Sequence, residues 1–121
     1  MSGTVYSMPC DGWSYAAAAS GIVSSTTAVT VKAAAANDMR NYVTSIQVQT
    51  ATLGGATELV LRDGAGGTVL WRTQLQTTAL PLYTISFENA IRGSTGTLLE
   101  IATLTGVTGG VYVNVQGYVA P

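Results

Sequence analysis

The chain has 121 residues, 47% of them apolar but only 9% charged, where about 25% charged is usual. That length suits one domain with one core, and no apolar run approaches the ~18 residues of a membrane-spanning helix. Five Lys and Arg against six Asp and Glu, no histidine and one cysteine exclude a basic nucleic-acid stripe, Ser-His-Asp or Cys-His catalysis, His-ligated metals and an intrachain disulfide.

In chain order, residues 1–12 read as an N-terminal arm and residues 13–121 as the folded domain. The arm carries no Lys or Arg and is interrupted by Ser, Pro and Asp, so it lacks the basic and apolar regions of a signal peptide. Tyr6, Met8 and Pro9, with Trp13 just beyond, lie where strand alternation is absent. These are residue types that anchor protein interfaces, which makes them the candidate contact residues. Cys10 receives no role.

Ser14 to Ala18 is expected to open the first strand. Ala16 to Ala19 and Ala33 to Ala36 have high helix propensity, yet each is too short for a stable isolated helix. Both are expected to be strand segments whose small side chains permit close approach. Val29 and Val31 alternate with Thr30 and Lys32. Tyr42, Ile46 and Val48 share one face of the next run, with Ser45, Gln47 and Gln49 on the other. Leu59 and Leu61 oppose Glu58, Val60 and Arg62. Val69 and Trp71 oppose Thr68, Leu70 and Arg72. Tyr83, Ile85 and Phe87 oppose Thr84, Ser86 and Glu88, and Glu88 to Arg92 is allowed one helical turn. Leu99 and Ile101 oppose Glu100. Val111, Val113 and Val115 oppose Tyr112, Asn114 and Gln116. This period-two pattern is that of half-buried strands.

Turn residues separate the runs. Asp63-Gly64-Ala65-Gly66-Gly67 supplies glycines for a hairpin, and Gly54-Gly55, Gly93 to Gly96 and Gly106 to Gly110 make further breaks. About eight strands at this spacing predict an all-β fold, a single antiparallel β-sandwich.

Catalytic chemistry is poorly provided for. Asp38 and Asp63 fall in turns, Glu58, Glu88 and Glu100 on outward strand faces, and Asp11 in the N-terminal segment. Only Glu88 and Glu100 suggest a carboxylate pair, and nothing in the sequence sets them at glycosidase spacing. Gly64 to Gly67 leads into a strand rather than the helix a phosphate loop requires. No acidic cluster suits calcium. The expectation is no enzyme activity, no catalytic residue, no cofactor, no metal, no nucleic acid and no membrane partner. Arg62 and Arg72 flank the hairpin on adjacent strands, on the same face or opposite ones, and together with Arg92 suit either acidic docking partners or solvent. Trp13, Trp71, Tyr6, Tyr15, Tyr112 and Tyr118 offer a platform for sugar rings, although the mid-strand place of Trp71 suits the core.

Several runs carry a resemblance: Thr30-Val31-Lys32-Ala33-Ala34-Ala35, Met39 to Val48, Val69-Leu70-Trp71-Arg72, Ile91 to Thr97, and Val111 to Tyr118. In their order and turn layout they resemble small virion proteins of tailed bacteriophages, of the capsid decoration (cement) and head-fibre type. The resemblance spans Ser14 to the C-terminus. It implies a jelly-roll-like fold, a homotrimer, and binding to the major capsid protein of the same phage on an expanded head, after synthesis in the bacterial host cytoplasm. By position it assigns Tyr6, Met8, Pro9 and Trp13 to the capsid or subunit interface. A carbohydrate-binding or adhesion sandwich on a fibre or tail is the alternative.

Overall fold

In a computed structural model, residues 11–18 and 26–121 are described. They form eight strands: β1 Asp11–Tyr15, β2 Val29–Lys32, β3 Arg40–Thr50, β4 Thr57–Asp63, β5 Thr68–Leu75, β6 Leu80–Arg92, β7 Leu99–Thr103 and β8 Val111–Ala120. They make two four-stranded sheets, ordered β1-β8-β3-β6 and β2-β7-β4-β5, and every pairing is antiparallel. The expected all-β sandwich of about eight strands is therefore what the chain forms.

The connectivity follows from one long hairpin. β4 and β5 pair across the glycine turn, and from there outward β3 pairs with β6, β2 with β7, and β1 with β8. Rolling this ribbon brings β3 against β8 and β4 against β7, which is the jelly roll. Its fold point is the Asp63–Thr68 turn, where Gly64 and Gly66 hold φ of 91° and 64°. Only glycine adopts such angles without steric cost, and Gly67 N–H closes the turn onto Gly64 C=O at 3.0 Å.

Alternation puts the core between the sheets. Val43, Ile46 and Val48 of β3, Leu59 and Leu61 of β4, Leu99 and Ile101 of β7, and Val111, Val113 and Val115 of β8 are all fully buried. Each contributes about 1.5–3 kcal/mol of hydrophobic stabilisation. The faces expected for β4 and β8 are those observed.

In β3 the pattern breaks. Against β8 the register shifts between Val43, opposite Gly117, and Ser45, opposite Gln116, so Thr44 is a bulge there, while against β6 the same step spans Ile91 to Ser86 and the extra residues lie on β6. One extra residue inverts the alternation. Asn41 and Val43 point inward before it, Ile46 and Val48 after it. Tyr42 consequently shares the outer face with Gln47, not the inner face with Ile46, and its ring stacks on Tyr118 at 4.8 Å.

The alanine runs are corrected too. β1 starts at Asp11 and ends at Tyr15, leaving Ala16 to Ala18 outside any strand. There the Ala17 N–H donates to Asn114 Oδ1 rather than to a strand ladder. Ala33 to Ala36 also leave the sheet. Ala33 C=O accepts from the Asn41 amide, and Ala36 C=O accepts from Met39 N–H in a turn. The Glu88 to Arg92 corner is not helical, because β6 continues through Arg92, paired with Tyr42.

Candidate interaction surfaces

The outer face of the β2-β7-β4-β5 sheet carries most of the paired charge. Arg62 meets Glu100 at 3.1 Å, and the nearly buried Glu100 also accepts from Gly66 N–H at 3.0 Å. Arg72 meets Glu58 at 3.1 Å in the open. Val60 lies directly between Arg72 and Ala102 in register, so Arg62 and Arg72 share one face, each held by a carboxylate of its own chain. Asp63 is also engaged, accepting from the Ser94 backbone N–H at 2.9 Å and from its hydroxyl. Glu88 and Glu100 belong to different sheets. Among the described residues no group of three His, Cys, Asp or Glu could hold a metal.

Of the residues expected to make contacts, Tyr6, Met8 and Pro9 lie outside the described residues. Trp13 sits in β1 opposite Gly117 of β8 and packs against the core. The missing side chain at Gly117 makes this possible, since a Cβ there would come within 2.7 Å of the indole. The indole Nε1 is buried without a hydrogen-bond partner. Trp13 thus seats the first strand on the sandwich. Trp71 likewise packs on the core, as its mid-strand place suggested.

A surface less visible in the sequence is the free edge of β6. Among the described residues this strand ends its sheet and is bonded on one side only, to β3. It is 13 residues long, against five, four and eight for the other edge strands β1, β2 and β5. Edges of soluble proteins are usually kept short or guarded by charge, bulges or proline. β5 carries Arg72, and β6 has Pro81 near its start, Glu88 and Arg92 near its end and an irregular register between Ser86 and Ile91, but Leu82-Tyr83-Thr84-Ile85-Ser86-Phe87 contains no charge. Leu82 and Tyr83 are 59% and 53% exposed. Tyr83 pairs with the inward Val48, so it points to the core side as its alternation implied, yet the margin of the sandwich leaves it uncovered. The sequence signal was Leu80-Pro81-Leu82-Tyr83, an apolar run that does not alternate.

The outer face of the β1-β8-β3-β6 sheet is polar without charge over its middle rows. Gln47 lies between Asn114 and Thr84, and Ser45 between Gln116 and Ser86, with Ser14 beyond Gln116 on β1. Ser14, Ser45, Gln47, Asn114 and Gln116, with Tyr15 and Ala16, line a groove of about 250 Å3. The stacked Tyr42 and Tyr118 stand on the same face one row further on. Tyr42 OH donates to Pro121 C=O at 2.8 Å.

These features define a jelly-roll sandwich, a fold used by viral capsid domains, lectins and cupins alike. No protein-family model and no curated protein matches the sequence. Among solved structures, the chain is similar to PirA at 14% identity and a TM-score of 0.46, over 94% of this chain and 96% of that one. It is similar to the virus-like particle protein of the giant freshwater prawn Macrobrachium rosenbergii extra small virus at 17% identity and a TM-score of 0.41, over 100% and 84%. The coat protein of Tobacco streak virus aligns at 10% identity and a TM-score of 0.43, over 98% and 92%.

Proposed function

We propose that this chain is a non-enzymatic virion structural protein, a capsid decoration (cement) protein that binds the assembled head of a tailed phage as a homotrimer. The observation that carries the reading is the β6 edge. An edge whose Leu80 to Phe87 stretch is uncharged and partly apolar is a template for association with another chain, and a chain with so few charges gains solubility by covering it. Leu82 and Tyr83 are assigned to the contact between subunits. The sequence resemblance supplies the phage head as the setting and the major capsid protein as the partner.

The energetics suit the role. A surface dominated by hydroxyls and amides can be covered without burying unpaired charges, each of which would cost several kcal/mol. A trimer engaging three equivalent sites gains avidity of about 10²–10⁴ where geometry lets all three bind together. Binding restricted to the assembled shell stabilises that shell by mass action. The N-terminal residues Tyr6, Met8 and Pro9 are assigned to the capsid contact, with Trp13 anchoring the base of that arm through its seat on Gly117.

The test is co-sedimentation of the purified chain with undecorated, expanded capsids. Saturable binding in multiples of three, lost on deleting residues 1–10, is expected. Binding that survives this deletion refutes the assigned contact residues, and no binding to any capsid form refutes decoration.

A further inference from the structure

We propose that the groove on the outer face of the β1-β8-β3-β6 sheet is a binding site for a neutral carbohydrate, with the Tyr118 ring, one row beyond the groove on the same face, as its stacking platform. Three independent features converge there.

The first is the chemistry of the lining. Ser14, Ser45, Gln47 and Gln116 each offer a hydroxyl or an amide, which together both donate and accept hydrogen bonds. None of these four side chains has a hydrogen-bond partner within the described residues, and only Asn114 is engaged, through Ala17 N–H. Sugar hydroxyls likewise donate and accept. The groove contains no Lys, Arg, Asp or Glu, so neither sulfated nor carboxylated sugars find a counter-charge.

The second is the open ring. Tyr118 lies between Tyr42 on β3 and Gly12 on β1. Its rings stack nearly parallel with Tyr42, at 9°, which covers one face of the Tyr118 phenol. On the other flank, among the described residues, stands Gly12, which has no side chain to cover the second face. The π-face of an aromatic ring is electronegative, and the C–H face of a pyranose presents weakly positive hydrogens to it. Ser14 and Gln116 occupy the next row along the same strands, within reach of the hydroxyls of a ring stacked there.

The third is shape. This face is recessed into a groove of about 250 Å3, below the usual size of drug-ligand pockets and suited to one sugar ring with its neighbour in solvent. The site is separate from the β6 edge, so it stands or falls independently of the proposed assembly.

The experiment is a titration of the ¹⁵N-labelled full chain with methyl α-glucoside, lactose and chitobiose, alongside a neutral glycan array. One of these probes is expected to bind with millimolar-range affinity, around the level at which a small ligand forms only a few net contacts. Shifts should centre on Gly12, Ser14, Ser45, the side-chain amides of Gln47, Asn114 and Gln116, and Tyr118. The Gly12→Val variant covers the ring, and it should fold, because a Cβ at Gly12 meets only the Gly117 carbonyl, at 3.9 Å. It should weaken binding at least tenfold with an unchanged melting temperature, as should Gln47→Leu. Absence of shifts with every neutral sugar, shifts mapping elsewhere, wild-type affinity in Gly12→Val, or preference for anionic sugars would each overturn the proposal. Concentration-dependent shifts of the same residues without sugar would also overturn it, assigning the face to a second copy of the chain.

Discussion

Replacing Asn41 by leucine tests how the loops at one end of the sandwich are held. Asn41 is fully buried in β3. Its amide donates to Ala33 C=O at 3.0 Å and Thr97 C=O at 3.2 Å, joining the segment after β2 to the segment before β7. Leucine keeps the same branching but is bulkier, so it adds strain at this buried site, and it leaves both carbonyls without that donor. An unsatisfied buried group costs about 1–3 kcal/mol. Ala33 is exposed, so water recovers part of its share, and the two together cost about 3 kcal/mol. Against this, Asn41 Oδ1 is itself buried without a partner, and removing it returns about 1 kcal/mol. The net loss is about 2 kcal/mol, or roughly 8 °C in Tm for a domain of this size. Urea and thermal unfolding measure it, and hydrogen exchange at Gly93 and Gly96, bonded to Asn41 C=O and Met39 C=O, should quicken in parallel. A variant as stable as wild type, with exchange unchanged, would refute the reasoning.

Gly117→Ala should lose at least 1–3 kcal/mol, because the new methyl collides with Tyr42 C=O and the Trp13 indole; urea unfolding and a change in tryptophan fluorescence check it. Arg62→Met should cost about 1–3 kcal/mol by stripping Glu100 of its cation, whereas Arg72→Met, removing an exposed pair, should cost under about 1 kcal/mol. Equal losses in the two variants would contradict the burial difference between the pairs. Burial raises the Tyr15 phenol above its ordinary 10.0, so the folded state holds that proton more tightly than the unfolded one. Its contribution is complete below pH 10 and is lost as pH rises through the folded value, and Tyr15→Phe should flatten the fall in stability above pH 10 in a series of urea titrations.

What the sequence made legible depended on whether alternation ran unbroken. Val111 to Gln116 and Glu58 to Arg62 alternate without interruption, and their faces could be read directly. The glycines of the Asp63 to Gly67 turn marked the fold point of the roll for the same local reason. Thr44 could not be foreseen as a bulge, since nothing about a threonine in a β-rich run says that it will be an extra residue opposite β8. That one residue moved Tyr42 to the outside. The alanine runs failed differently: Asn114 and Asn41, far along the chain or across a turn, supply hydrogen bonds that draw Ala17 and Ala33 off the ladder. The surfaces were legible only in part. Tyr83 carries the pattern of a core residue, and its exposure arises from the position of β6 at the sheet margin, which is a property of strand order. The groove is likewise assembled from β1, β3 and β8, segments far apart in sequence. Tyr118 was named among the aromatics, but its open face depends on Gly12 being its neighbour across the sheet.

The most direct measurement of assembly through the β6 edge is the solution mass of the full chain, by light scattering or sedimentation over a range of concentrations, for wild type and for the double variant Leu82→Lys, Tyr83→Lys. Both side chains are already exposed, so the substitutions should leave the melting temperature of the sandwich near that of wild type. Wild type should be a trimer and the variant a folded monomer. A wild-type monomer throughout, or an oligomer that the two lysines leave intact, would contradict the assignment of the β6 edge as the surface through which the chain assembles.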